Sequence, residues 1–396
     1  MNTPKPAPPP DDRHRMLDAL RASVPVFRDE KSATFILTRY ADVRALLTDN
    51  TLWRDADKAE PGAMVHKFKP ADMNRPGDRN AGIGWLDDPD HARVRAPIAK
   101  ALNRRVAALR PVIEEIVRTR LDALGGRFDA VADFAMPIPI AMIGALLGVA
   151  TADMPRFRAW SEAAINVFSP DPTPAERAAT KDAADAICDY LDAAMALRRR
   201  ETHDDLIAEL LGVQAQDGSL SDSEIRVNCM NLLLGGNVTT ADLIASAAML
   251  LASHPAERAK LSADPSLIAN AIEEVLRYEP PTQGTQRIAS RSLENQGCPI
   301  RKTQVVAVFL HAANRDPAVF PDPHRFDITR RDAPQVSFGG GAHICIGASL
   351  ARLEAQVAVA ALFARFPNLH LADPAAALKW RDMPYFRGLE SLMVEP

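Results

Sequence analysis

The spacing of apolar and polar positions divides the chain into many helices, with short strands near both ends. Residues 13–24 have helical spacing. Between 24 and 38, the β-branched and aromatic residues Val26, Phe27, Thr34, Phe35 and Ile36 flank the turn Asp29-Glu30-Lys31-Ser32 and predict two strands. Residues 40–47 return to a helix. Residues 54–84 are rich in Pro, Gly, Asp and Lys with weak periodicity, which is the character of a functional lid. Asp88-Pro89 predicts a helix start, with Asp88 as N-cap and Pro89 in the first turn. Two helices follow within 108–148, the second strongly apolar over 138–147. Two more fill 152–200, broken at Ser169-Pro170-Asp171-Pro172, and Asp204-Asp205-Leu206 opens a short one.

Ser221-Asp222-Ser223-Glu224 is a capping box, and the apolar pattern behind it runs to residue 253, before Pro255. About 32 residues at ~1.5 Å each give a helix of about 48 Å, long enough to cross the whole fold. Helices are also predicted over 266–279 and 348–366, and the tail from 367 reads as short strands. The predicted class is mainly α with small β-sheets, α+β.

Composition narrows the function. The 396 residues are 47% hydrophobic and 25% charged, with a formal net charge of -4. The proline-rich residues 1–11 read as a disordered arm and 12–396 as one large domain. Weak acidity argues against nucleic acid as a partner. Cys188, Cys229, Cys298 and Cys345 are widely spread, which suits a reducing cytoplasm. The N-terminus has no apolar signal core, and no apolar run predicts a membrane span.

The chemistry concentrates in Phe338-Gly339-Gly340-Gly341-Ala342-His343-Ile344-Cys345-Ile346-Gly347. Three glycines permit a tight turn, and the apolar helix after it places Cys345 near a helix N-terminus, where a thiolate is favoured. Taken alone, a lone cysteine is as readily a small buried hydrophobe, and a glycine run a plain turn. His343 and Cys345 could form half of a zinc site, but no CxxC or HxxxH completes it. Gly235-Gly236-Asn237-Val238-Thr239-Thr240 sits inside the long predicted helix. Two interior glycines cost about 1 kcal/mol each against alanine. Either helix packing or the close approach of a flat ligand accounts for them. His91 and Arg95 share one helix face, and Glu274 and Arg277 form an i,i+3 pair. Each is by itself an ordinary surface arrangement.

The whole set resembles the cytochrome P450 family. Phe338, Gly339, Gly341, His343, Cys345 and Gly347 match every fixed position of its haem-binding loop. The glycine–threonine string is similar to its oxygen-binding groove, Glu274 and Arg277 to its Glu-x-x-Arg helix, and 87–95 to its propionate helix. The likeness runs from about residue 12 to the end, with four motifs in the family's order. It implies the P450 fold, with haem b between the long central helix and the Cys loop with its C-terminal helix. It implies an axial thiolate from Cys345, and propionates held by His91, Arg95, Arg287 and His343, with Phe338, Gly339 and Gly347 shaping the loop. Arg325 becomes the third member of the Glu274–Arg277 network. Thr239 would hydrogen-bond dioxygen, with Thr240 beside it. The usual acid before the threonine is Val238 here, so water with help from Asp242 or Asn237 is the expected proton route.

The resemblance implies a monooxygenase that inserts one atom of O2 into a small lipophilic substrate. Electrons come from a ferredoxin-type donor, with Arg93, Lys100, Arg104, Arg105 and Arg352 as a basic docking face. A cytoplasmic monomer is expected. Candidate substrate contacts are Met64, Phe68, Trp85, Phe168, Leu233, Gly236, Gln283, Thr285 and Phe386, the last in the expected turn at 383–388 that reaches back into the pocket. Val238 also leaves open a peroxide-driven or oxidative-coupling enzyme. A haem protein that binds a ligand without turnover is a further reading.

Overall fold

The computed structural model describes residues 12–68, 82–164, 169, 172–331, 334–375, 377–381, 383 and 385–396. The expected arm, 1–11, much of the expected lid and Phe168 lie outside them, as does the Phe68 side chain. The helices are α1 (Asp12–Ser23), α2 (Tyr40–Thr48), α3 (Asp90–Val106), α4 (Arg110–Asp122), α5 (Pro137–Leu147), α6 (Met154–Ala164), α7 (Pro174–Arg198), α8 (Leu206–Asp217), α9 (Asp222–Ser253), α10 (Pro255–Ala263), α11 (Ile268–Tyr278), α12 (Leu310–Ala313) and α13 (Ala348–Arg365). The strands are β1 (Val26–Asp29), β2 (Thr34–Leu37), β3 (Phe128–Asp129), β4 (Gly284–Ile288), β5 (Leu293–Asn295), β6 (Cys298–Ile300), β7 (Val305–Phe309), β8 (His370–Leu371) and β9 (Met393–Glu395).

A four-stranded sheet runs β1-β2-β7-β4, with β2 parallel to β7 and the other pairs antiparallel. β9 pairs with both β8 and β3, the last of which the sequence reading did not mark. Two residues give β3 too little alternation to register as a strand.

α9 is the axis of the molecule. Its capping box forms: Ser221 Oγ accepts from Glu224 N at 3.2 Å and Glu224 Oε2 accepts from Ser221 N at 2.8 Å. It packs against α5, α7, α11 and α13, so it is buried on most sides. Two segments, Ala130–Leu147 and α9, are long and apolar enough to cross a membrane by length and composition. Both are mostly buried, which is how a core helix passes that test. α3 begins at Asp90 rather than Pro89, after a cis Asp88–Pro89 bond. Asp88 Oδ1 still accepts from Ala92 N, at 3.1 Å, so the carboxylate serves the first turn from one residue further out.

The Glu274–Arg277 pair is fully buried. Nε and Nη2 of Arg277 donate to the two Glu274 oxygens at 2.7 and 2.8 Å. Nη1 donates to the carbonyls of Asn314 and Pro323, and Nη2 also to that of Arg325. All five guanidinium hydrogens are therefore used. Arg325 enters only through its backbone; its side chain is exposed and pairs with Asp327. The second cation on Glu274 is Arg330, 3.3 Å from Oε2. The expectation for Arg325 fails because the backbone turn there aims the carbonyl inward, leaving the inward side-chain position to Arg330.

Breaking a buried pair costs about 3–5 kcal/mol, because the remaining charge stays buried alone. Glu274→Ala should lower unfolding stability by roughly that amount. Arg330→Ala should destabilise more than Arg325→Ala. Urea unfolding of the three variants checks both expectations.

Candidate active site

A cavity of about 360 Å³ lies between α9 and the loop that leads into α13. That is within the range of small-molecule sites. On α9, Gly235, Gly236, Thr239 and Thr240 line it. A Cβ on Gly235 would meet nothing within 4 Å, whereas one on Gly236 would sit 3.5 Å from Ile143 Cδ1 of α5. The two glycines thus divide the two roles foreseen for them. Gly235 leaves the helix face bare toward the cavity, and Gly236 faces a neighbouring helix. Thr239 Oγ1 donates to the Gly235 carbonyl at 2.6 Å, which parks the hydroxyl at the cavity wall.

The facing loop is folded by its glycines. Gly339 and Gly341 have φ of +74° and +64°, and a Cβ on Gly341 would collide with the end of α2, 2.6 Å from the Leu47 carbonyl. Ala342 N donates to Asn50 Oδ1 at 2.8 Å, and Cys345 N to the Phe338 carbonyl at 2.9 Å. Phe338, Gly339, His343, Cys345 and Gly347 all line the cavity. The other three cysteines do not, and Cys188 and Cys229 are buried elsewhere. Burial pushes the Cys345 thiol up, against the Gly347 N–H, Arg95 and Arg352, which pull it down. The loop N–H and the two arginines favour the thiolate, and burial opposes it.

Along one edge stand cationic and imidazole groups. Arg95 and Arg287 line the cavity. The rings of His91 and His343 lie 4.0 Å apart. Burial and neighbouring cations hold both imidazoles low, His343 at about 2. Burial first, then Arg54, brings Arg287 down to about 9. His91 Nε2 is buried with no hydrogen-bond partner among the described residues. Among the described residues neither Arg95 nor Arg287 forms an ion pair, and two carboxylates would satisfy them.

The sequence profile of the cytochrome P450 family matches residues 157–376. The chain is 39% identical over 393 residues to 6-deoxyerythronolide B hydroxylase of Saccharopolyspora erythraea, covering 97% of this chain and 96% of that one. The chain belongs to the cytochrome P450 family. It is also 37% identical to a vitamin D(3) 25-hydroxylase of Pseudonocardia autotrophica, over 96% of this chain and 93% of that protein. A P450BioI structure, in complex with an acyl carrier protein ligated to hexadec-9Z-enoic acid, superposes with a TM-score of 0.87. It has 32% identity and covers 97% and 98% of the two chains. This P450 is a monooxygenase with a haem cofactor bound through a cysteine thiolate. The donor set fits that group: a cavity-facing thiol, a bare helix face and arginines that form no ion pair among the described residues.

Several expected site residues lie elsewhere. Asp242 turns away from the cavity to pair with Arg381, and burial pushes its carboxyl up to about 7 against that cation's pull. It therefore does not face Thr239. Asn237 is buried outside the cavity, and its amide has no partner among the described residues. Of the expected substrate contacts, Gly236, Thr285 and Phe386 line the cavity. Leu233 is core, Gln283 is buried with its amide donating to the Pro280 carbonyl, Trp85 packs against Arg54, and Met64 lies off the cavity. These four stand near the right segments, but none of them lines the cavity. The basic docking face is already neutralised in part. Arg93 pairs with Glu224, Arg104 and Arg105 with Glu209, and Arg352 with Glu273.

Two charged cavity residues escaped the sequence reading. Arg54 sits in a stretch without periodicity, which hides it. Glu354 had a signal, an acid on the apolar face of α13 one turn after Leu350. It is buried with Oε2 unpartnered, and burial pushes it up to about 8. Its folded pKa lies above the ordinary carboxylate value of ~4.3. The linked stability is therefore complete below that value and is lost as pH rises through about 8. Glu354→Gln should remove this slope, so its stability advantage over wild type grows from pH ~5 to ~8. Urea midpoints across that range test it.

Proposed function

We propose that this monooxygenase hydroxylates a lipophilic organic substrate, with Cys345 as the axial thiolate. His91, Arg95, Arg287 and His343 hold the propionates. Bound haem supplies the oxygen-activating redox chemistry. The chain's own residues do the rest. The Gly235 face gives room for dioxygen, the Thr239 and Thr240 hydroxyls present hydrogen bonds to it, and Leu243, Ile143 and Phe386 keep bulk water out. The single observation that carries this reading is Cys345 and Thr239 sharing one cavity whose edge holds Arg95 and Arg287, neither in an ion pair among the described residues. Two relatives, a 6-deoxyerythronolide B hydroxylase and a vitamin D(3) 25-hydroxylase, bear names consistent with lipophilic substrates. Two electrons come from a ferredoxin-type donor to a cytoplasmic monomer, since the sequence carries no flavin or iron–sulfur segment of its own.

With Val238 in the acid's place and Asp242 engaged elsewhere, protons reach the site through water ordered by Thr239. Thr239→Ala should lower product formed per electron consumed by roughly tenfold or more. NADH consumption and product are measured together. Equal turnover with hydrogen peroxide and with the ferredoxin system would instead favour the peroxide-driven reading that Val238 motivates. The first experiment is the carbon monoxide spectrum of the reduced protein. A thiolate-type Soret band is expected in wild type and its loss in Cys345→His.

A further inference from the structure

Arg54 is a charged residue of the cavity that the reading above leaves without a task. The bridge between Trp53 and Ile288 fastens it beside β4. Its Nε donates to the Gly84 carbonyl at 3.0 Å. Its Nη1 donates to Thr285 Oγ1 at 2.9 Å and to the Gln286 carbonyl at 2.6 Å. The guanidinium stacks on Trp85, 5.5 Å from the ring centroid. The head is thus fixed on three sides, and it lines the cavity. Nη2 makes no hydrogen bond among the described residues.

The local charge does not balance. Among the described residues Asp87 is the one carboxylate that acts on Arg54, and its oxygens are taken by Arg54 N, Asp55 N and Lys58 Nζ. Among the described residues no acid forms an ion pair with the Arg54 guanidinium. Three guanidiniums line the cavity: Arg54, Arg95 and Arg287. Haem b brings two propionates. A buried cation left over after that count is costly unless another anion meets it. Burial draws Arg54 down to about 10, so it stays protonated at neutral pH, and among the described residues its counter-charge is Asp87, whose oxygens are bonded to other donors.

We propose that Arg54 binds a carboxylate and that this carboxylate is carried by the substrate, making the substrate an acidic lipophile. This rests on the haem-thiolate reading of the cavity. The apolar wall holds the chain of the molecule, and Arg54 with Thr285 anchors its acidic end at the edge of the site, so the distance from that end decides which carbon is presented.

The test uses matched probes on the haem-loaded protein: dodecanoate, dodecanol and methyl dodecanoate. Soret spin-state titrations give the affinities. Haem transfer to apomyoglobin is followed in parallel, because a haem propionate offers the same carboxylate chemistry. Wild type should bind dodecanoate roughly ten- to hundredfold tighter than either neutral probe. Arg54→Gln should abolish that preference, Arg54→Lys should keep part of it, and haem release should not change. If no such preference exists in wild type, or Arg54→Gln retains it, the proposal is overturned. Faster haem release from Arg54→Gln with an unchanged probe ratio also overturns it and gives Arg54 to a propionate. Should Arg54→Gln fail to fold, the wild-type and Arg54→Lys ratios decide. The reduced carbon monoxide spectrum reports separately on the haem-thiolate reading, so its failure is not confused with that of Arg54.

Discussion

A buried guanidinium must have every hydrogen bonded, and Arg277 meets that demand by gathering distant pieces of chain. It joins α11 to the carbonyls of Asn314, Pro323 and Arg325. From Asn314 the order passes on. Its side chain donates to Ser337 Oγ, and its Oδ1 accepts from Val336 N. Ser337 Oγ in turn donates to the Leu276 carbonyl. The residue next in line is Phe338, the first of the cysteine loop. One charge that cannot be left unsatisfied therefore fixes where the loop starts. Such a pair adds little net stability over an apolar substitute. Its contribution is geometric.

The site itself is a contest between burial and charge. Burial pushes Cys345 and Glu354 toward their neutral forms, and it also holds the His343 and His91 imidazoles low. Around them the arginines remain charged. Among the described residues the cavity carries its positive charge along one rim, an arrangement that suits an anionic cofactor.

Much of this was readable from sequence because the motifs are local. The capping box, the length of α9, the cysteine loop, and the pair at 274 and 277 each lie within a few residues. What was not readable depends on contacts between remote segments. Arg54 reaches β4 across more than two hundred residues of chain. Arg330, not Arg325, turns inward because of a loop conformation that spacing does not encode. Asp242 was assigned by its angle around the helix, and the angle could not reveal that Arg381 awaits it from the C-terminal tail. Apolar pocket candidates such as Leu233 failed for a related reason, since on a helix buried all round, periodicity does not distinguish the cavity side from the core side.

The internal pairing of Arg93, Arg104, Arg105 and Arg352 has a consequence for encounters with other proteins. Charges matched within a few ångströms present dipoles, and dipolar fields decay faster than the field of a net charge. At physiological salt the screening length is about 8 Å, so little of that field extends into solution. An electron-donating protein approaching this face would be guided mainly by short-range fit around the exposed Ile344 beside the cysteine loop. Its arrival rate would then change only weakly with ionic strength, unlike that of partners steered by opposite charge.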